Sequence, residues 1–316
     1  LSSTFSVKQL RVTFVLQPGN SFSNGSNTVV ITGLRMKTTI NTLQYPAFPQ
    51  SDIYVYGMLQ ADMNTLIDFE DHPLAVTKNS MTVEANIGTG WTTVFAGQIA
   101  SAQPIYQSAP DVPLKVIARV LYYESIASAT PTSYTGATDI VQVVSGIALR
   151  IGAAFENDGV SGVSLHNPYI PGTLGDQLIA ACQQVNIDLF YDYGSLGKTG
   201  LPTQPPATII IAPKGMQRST PIVNLTPQTG LVGYPTFDSQ GYILARSFYN
   251  PGLKFGGKVT ISGSDLPRAN GTWGIRQLTH LLDAVQPDGN WFSDMYLMPI
   301  ALLPYPTAAV PPTKMT

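Results

Sequence analysis

The sequence predicts a mainly β chain of the α+β class, in which a small α/β segment separates two β-rich regions. Three observations predict it. Apolar and polar residues alternate with the period of a strand at several places, most extensively from Val112 to Tyr122. The period lengthens to that of a helix at Ile140, Val143, Val144, Ile147, Ala148 and Ile151. Gly (28 residues) and Pro (25) are plentiful and cut the β-rich regions into short runs.

Residues 7–16 place Leu10, Val12, Phe14 and Leu16 on one face with Arg11, Thr13 and Val15 between them, as a half-buried strand does. Asn24-Gly25 supplies a turn, and Thr28 to Ile40 reads as a second extended stretch. Ile53 to Leu59 continues the series, and Ala61 to Asp68 reads as a short helix. Met81, Val83, Ala85 and Ile87 alternate with Thr82, Glu84 and Asn86, and Trp91 to Ile99 follows a Gly-rich turn. Together with Val112 to Tyr122, these strands predict a closed or nearly closed β-barrel over residues 1–128.

Residues 129–213 read as the α/β unit. Its first helix carries the Ile140–Ile151 stripe, with Thr138 as the expected N-cap. Its second runs from Leu174 to Val185, where Thr173 and Asp176 form a capping box with Asp in place of the usual Glu or Gln. Short strands are expected at Gly159 to Leu165, Ile187 to Tyr191 and Thr208 to Ala212, and Leu196 to Pro206 is a Gly- and Pro-rich loop. Strands return over 214–304: Tyr242 to Tyr249, Lys258 to Ser262, Thr272 to Leu282 and Trp291 to Met298, with Asn270-Gly271 as a hairpin turn. The Pro-rich tail, 305–316, is expected to be extended and mobile unless a partner holds it.

A chain of 316 residues predicts two or three units with a substantial core. The 44% hydrophobic content is ordinary, whereas the 11% charged fraction is far below the roughly 25% of typical soluble domains. Such a surface suits a protein largely covered by neighbouring subunits, where lone charges are costly to desolvate. It equally suits a secreted β-rich protein with a neutral polar exterior. Seventeen Lys and Arg against nineteen Asp and Glu give a net charge of −2 without a basic run, which argues against stable nucleic-acid binding. Cys182 is the single cysteine, so an intrachain disulfide and a Cys-based zinc site are excluded. No apolar stretch reaches the ~18 residues of a membrane span, and no export signal is evident. The expectation is a soluble chain assembled in a cytoplasm.

The candidate chemistry is thin. Gly197-Lys198-Thr199 follows a strand as in a phosphate loop, but the position that needs the first Gly holds Asp192, and Gly200-Leu201-Pro202 stands where a helix should begin. Asp68-Phe69-Glu70-Asp71-His72 is the densest ionisable cluster, yet it lacks regular ligand spacing and ends at Pro73, so it reads as a solvated turn. His166 sits in an Asn-Pro loop and His280 on a strand face with Arg276, Leu278 and Leu282; neither has a nucleophile in a recognisable context, and both read as structural. Cys182 shares the apolar stripe of Leu174, Leu178 and Val185 and reads as a small buried hydrophobe. Sugar hydrolysis needs paired carboxyls, but Glu84 points to the polar face of its strand, and Glu124 and Glu156 have no evident partner. The triplets at Asn24, Asn224 and Asn270 match the glycosylation pattern and mean only turns and strand ends. The expectation is no catalytic, cofactor or metal site.

Several motifs, in order and spacing, carry a resemblance along nearly the full length. They are I-Y-V-Y-G-M-L-Q-A-D-M-N at 53–64, V-F-A-G-Q-I at 94–99, L-K-V-I-A-R at 114–119 and H-N-P-Y-I-P-G-T at 166–173. The strongest are T-G-L-V-G-Y-P at 229–235, F-Y-N-P-G-L-K-F-G-G at 248–257 and N-G-T-W at 270–273. In these the chain resembles the baseplate hub proteins of contractile-tailed, Mu-like bacteriophages. The resemblance implies two tail-tube-like β-barrel domains, 1–128 and 214–304, with the α/β insert between them. It implies a homotrimeric ring of pseudo-sixfold symmetry that joins a hexameric tail tube to a trimeric central spike around the DNA channel. The implied partners are the tail tube, the spike, baseplate wedge and tube-initiator proteins and the tape measure protein, in a virion assembled in the bacterial host cytoplasm. An absence of basic runs suits a channel wall that does not grip DNA. Other classes compatible with the residues are a tail-tip cell-wall hydrolase, a receptor- or carbohydrate-binding module, and the hub of a bacteriocin or other contractile injection system.

Overall fold

A computed structural model describes residues 8–43, 47–67, 78–88, 90–193, 207–239 and 241–300. Leu10, Val12 and Phe14 are buried along β1 (Gln9–Val15) while Arg11, Thr13 and Val15 are half-exposed, the alternation expected of one core-facing side. The chain turns at Asn24-Gly25, where Gly25 takes φ +76°, into β2 (Thr28–Thr32). The single stretch expected over Thr28–Ile40 is broken at Gly33 (φ +75°), and β3 (Met36–Thr42) begins beyond it. There follow β4 (Gln50–Tyr56), α1 (Gln60–Leu66), β5 (Ser80–Asn86), β6 (Trp91–Pro104), β7 (Pro113–Arg119) and α2 (Tyr122–Ile126).

In the middle segment lie β8 (Thr132–Ser133), β9 (Ala137–Asp139), α3 (Ile140–Ile151), β10 (Ala154–Asn157), β11 (Ser164–His166), β12 (Tyr169–Ile170), α4 (Leu174–Gln184), β13 (Ile187–Tyr193) and β14 (Ala207–Pro213). Asp139 caps α3, its side chain accepting from the Val141 amide at 2.8 Å. The expected cap, Thr138, is instead a buried member of β9 paired to Leu165. The capping box of α4 forms as expected, with the Asp176 amide donating to Thr173 Oγ1 at 3.0 Å and the Thr173 amide donating back to Asp176 Oδ2 at 3.1 Å. The strand expected at Gly159–Leu165 is replaced by β10 and β11 on either side of a loop.

The last region contains β15 (Val223–Leu225), β16 (Leu231–Phe237), β17 (Ile243–Phe248), β18 (Lys258–Ile261), β19 (Gly271–Ala284) and β20 (Trp291–Pro299). Asn270-Gly271 is not a tight hairpin turn: residues 262–270 connect β18 to β19, and Asn270 brackets that loop by bonding both the amide and the carbonyl of Ser264.

The two β-rich regions share one sheet. Its strand order is β16-β17-β20-β19-β3-β4-β7-β6-β5-β1-β2, with β18 paired to β19 and β15 to β18. Expectation and structure agree on a mainly β fold, but among the described residues neither region closes into a barrel of its own. The path has two ends, β16 and β2, and the β3–β19 pairing joins its halves. The insert stands beside it as a three-stranded sheet, β10-β14-β13, flanked by the two-stranded β11–β9 and β12–β8 pairs. Leu189, Ile209 and Ile211 face the helices and join one core with Val144, Ile147, Leu178, Cys182 and the side chains of β1, β5 and β7. Phe190, Ile210 and Ala212 face the other way and pack with Phe255. A separate core, including Ile243, Ile261, Ile275 and Leu297, fills the last region.

Candidate assembly surface

The long strand β19 builds the join. Its first residues, Gly271 to Gly274, pair with β18; a bulge against β20 between Ile275 and Gln277 re-aims it; then Leu278 to Ala284 pair with Thr42 to Met36 of β3. Thr279 Oγ1 donates to Asn41 Oδ1 across this seam at 3.0 Å. Beside it, Thr42 Oγ1 and Tyr193 Oη lie 3.2 Å apart, linking β3 to the insert.

The Phe255-Gly256-Gly257 turn lets the insert approach the last region. Gly256 has φ +76°, and a Cβ there would stand 2.6 Å from the Phe190 ring and 3.1 Å from Arg218 Cδ. Its backbone is fully used: Gly256 C=O accepts from the Arg218 amide at 2.8 Å, and Gly256 N–H donates to Ile275 C=O at 3.0 Å. Arg218, almost entirely buried, donates from Nη2 to Asp192 Oδ2 at 3.2 Å, and Lys254 Nζ reaches Asp192 Oδ1 at 3.4 Å. Asp188, also buried, accepts from Lys214 Nζ and the Gly215 amide, each at 2.7 Å. Acidic groups of β13 are thus met by Lys214 and Arg218 from the segment after β14 and by Lys254 from the loop between β17 and β18.

On the far side of the last region, Leu244, Arg246 and Phe248 of β17 turn outward, as do Phe292, Asp294 and Tyr296 of β20. Their cross-strand register makes three rungs: Leu244 with Tyr296, Arg246 with Asp294, Phe248 with Phe292. The middle rung is a bidentate ion pair at 2.6 and 2.7 Å, and it holds the Arg246 guanidinium pKa above its ordinary value. The Phe248 and Phe292 rings stack at 5.9 Å, and the Tyr296 ring stacks on Tyr242 at 5.0 Å while its hydroxyl donates to Asp238.

The two ends of the sheet differ. At β16, Gly233 (φ +67°) and Pro235 lie in a bulge between Val232 and Thr236, which blunts that edge. At β2 the run Thr-Val-Val-Ile-Thr is β-branched throughout and bears no charge and no proline. The Leu16 amide donates to Asn27 C=O at 2.8 Å, which fixes the alternation of the ladder. Val29 and Ile31 therefore face β1 with their amides and carbonyls, and Thr28, Val30 and Thr32 turn theirs outward.

No protein-family model matches the chain, and neither does any curated protein sequence. Solved structures do. A 43 kDa tail protein of prophage MuSo2 from Shewanella oneidensis superposes with a TM-score of 0.58 at 9% identity, over 92% of this chain and 97% of that one. A tail protein from Neisseria meningitidis gives 0.60 at 11% identity, over 91% and 96%. An Escherichia coli component of the type VI secretion system, with structural similarity to the T4 bacteriophage tail proteins gp27 and gp5, gives 0.59 at 11% identity, over 90% and 76%. The chain has the fold of phage tail proteins. The resemblance carried by its motifs leads to the same group.

In this tail-protein fold the motifs prove to be joints. The run T-G-L-V-G-Y-P at 229–235 leads into and forms the blunted edge, and F-G-G forms the close approach. In N-G-T-W the Trp273 indole donates to Ala269 C=O at 2.9 Å. In H-N-P-Y-I-P-G-T, Asn167 adopts φ +47° and its Oδ1 accepts from the Gly136 amide at 2.7 Å, before Thr173 caps α4.

The residues weighed for chemistry do not converge. His280 is buried, 2.8 Å from Ser293 Oγ through Nδ1 and edge-on to Tyr249, and burial, with Lys254 adding to it, lowers its pKa to about 4. This Ser–His contact is cross-strand and has no signal in the sequence, because only the β19–β20 register creates it. His166 is an exposed strand residue of β11, not a loop residue. Cys182 is buried, which pushes its thiol up to about 12, as a small core hydrophobe. Glu84 does lie on the face opposite Val83, but it is sealed there: Arg11 binds both its oxygens at 2.6 and 2.7 Å and stacks over Trp91. Glu124 accepts from Gln98 Nε2 at 2.9 Å, and Glu156 is exposed on β10. Asn24 and Asn270 hold turns, whereas Asn224 is the middle of β15. The Gly197-Lys198-Thr199, Asp68–His72 and 305–316 segments lie outside the described residues. Among the described residues no group of three or more His, Cys, Asp or Glu has metal-site geometry, and no helix is long and apolar enough to cross a membrane.

Proposed function

We propose that this chain is the baseplate hub of a contractile phage tail. Three copies form a pseudo-hexameric ring around the DNA channel, with the hexameric tail tube on one side and the trimeric central spike on the other. The observation that carries the reading is end-to-end correspondence of fold, over 92% of this chain and 97% of the Shewanella tail protein. Three features support it: the low charge fraction of 11%, the hydrogen-bonded β3–β19 seam between the β-rich regions, and the outward aromatic rungs of β17 and β20. The chain acts by shape, with no catalytic residue of its own. In support, His280 and Ser293 are sealed in the core and Glu84 is neutralised by Arg11.

The Escherichia coli secretion-system component favours a second reading, in which the same ring belongs to a contractile injection apparatus and carries no DNA. Native mass measurement of the chain, alone and with a candidate spike protein, tests the ring. A species of three copies, alone or on the spike, is expected. A chain that stays a single copy with its spike, tube and wedge partners all present ends the hub reading. A zymogram on cell-wall material that shows clearing by the purified chain ends the non-catalytic one.

A further inference from the structure

Exposed apolar side chains gather on the outer face of the last region: Tyr234 is 70% exposed, Phe248 56% and Leu244 47%. Tyr234 and Leu244 line a groove of about 320 Å³ that crosses β16, β17, β20 and β19, with Tyr296 and Val232 as further apolar walls. Arg246 and Asp294, its two charged lining groups, neutralise one another as a bidentate pair. Thr279 is committed to Asn41, and Gln277 offers a carboxamide at the rim.

A groove of aromatic walls, cancelled charge and an amide donor suits one ligand chemistry in particular. A proline-rich segment is stiff before it binds and so loses little entropy. It offers pyrrolidine faces to aromatic rings, and its carbonyls have no partners of their own. A charged peptide finds no counter-charge among the lining residues, and phosphate finds no free cation there.

The sequence supplies such a segment. Residues 301–316 read A-L-L-P-Y-P-T-A-A-V-P-P-T-K-M-T, with Lys314 as the one charged side chain. They follow directly on β20, whose Asp294, Met295 and Tyr296 line the groove. A polyproline-type segment advances ~3.1 Å per residue, so even half of this length reaches back over the few residues of β20 that separate its start from the groove.

We propose that the groove between β16, β17, β20 and β19 binds the chain's own proline-rich segment, residues 303–316, as an extended ligand. The outer face of the last region is then covered by the same chain. This assignment does not depend on the hub reading.

Spin labels on the full chain test it, at Ala308→Cys and separately at Thr313→Cys; Cys182 is buried and does not compete for the label. At one or both positions a motionally restricted spectrum is expected. The restriction is expected to be lost on adding Tyr234→Ala, a change at a side chain too exposed to disturb the fold, or on adding excess synthetic peptide of sequence 301–316. Fully mobile spectra at both positions overturn the proposal, as does a restriction that survives Tyr234→Ala. A restriction that disappears on dilution of the chain overturns it too, because the segment then docks on another copy.

Discussion

Arg218 Nη2 lies 3.2 Å from Asp192 Oδ2, and the arginine side chain is only 6% exposed. The contact joins β13, an edge strand of the insert sheet, to the chain segment that enters the last β-rich region, and Arg218 also donates to Phe255 C=O at 3.4 Å. One side chain therefore spans the boundary between the insert and the F-G-G turn.

Arg218→Met is expected to lower stability by about 3 kcal/mol, since removing one partner of a largely buried pair strands the other. Lys254 remains near Asp192, which is a quarter exposed, and this keeps the loss at the lower end of the usual range. The double change Arg218→Met with Asp192→Leu is expected to recover part of the loss. Urea titrations followed by tryptophan fluorescence give both values, and a single variant within about 1 kcal/mol of the parent contradicts the assignment.

Gly256 and Gly25 share φ +76°, which makes them a controlled pair. At Gly25 nothing lies within 4 Å of where a methyl group would sit, so Gly25→Ala is expected to cost only the left-handed backbone strain, roughly 1 kcal/mol. At Gly256 the same methyl would meet the Phe190 ring at 2.6 Å, with backbone bonds on both sides preventing retreat. Gly256→Ala is expected to cost about 3 kcal/mol, the backbone cost plus overpacking. Equal losses in the two variants would remove the close approach as the reason for glycine in this turn.

Local patterns were legible in the sequence, and long-range pairing was not. The alternation of Leu10, Val12 and Phe14, the stripe of α3 and the Thr173–Asp176 capping box each involve neighbours in the chain, so periodicity finds them. The seam of β3 with β19 brings together Asn41 and Thr279, 238 positions apart, and nothing local records it. The edge strand β16 has no clear period because Gly233 and Pro235 interrupt its alternation, although those residues are what blunt the edge. Thr138 and Asp139 are both good caps by residue type, and only the pairing of Thr138 in β9 decides between them. Glu84 has the period of an exposed position, but Arg11 lies opposite it on β1 and covers it. The expected absence of catalytic groups rested on missing motifs, a criterion blind to contacts such as His280 with Ser293.

The ladder geometry of β2 separates two adjacent positions. The Val30 amide points away from β1, so Val30→Pro removes no hydrogen bond within the chain and is expected to change stability by less than about 1 kcal/mol. Ile31 is buried and its amide serves β1, so Ile31→Pro is expected to cost about 3 kcal/mol or more. If the hub reading holds and this uncharged edge accepts a strand from a neighbour, Val30→Pro also weakens assembly while leaving the single chain intact. Chemical unfolding measures the first effect and native mass the second; equal destabilisation by both prolines refutes the register.

Stability is expected to fall in a defined window as the solution is acidified. Burial, with Lys254 adding to it, depresses the His280 pKa from 6.5 to about 4 in the folded chain. At neutral pH the ring is uncharged in both states and contributes no pH dependence. Between about pH 6.5 and pH 4 the unfolded chain binds a proton that the folded chain refuses, so stability drops as pH falls, by roughly 3 kcal/mol in all, and levels off below. Carboxylates add their own acid dependence, which a variant subtracts. His280→Asn removes the ionisable ring, and the difference between parent and variant urea midpoints should shrink from about pH 7 to about pH 4.5 as the parent loses its advantage. A difference that stays constant over that range would mean that His280 titrates normally and that the core around Tyr249 and Ser293 admits the charged ring.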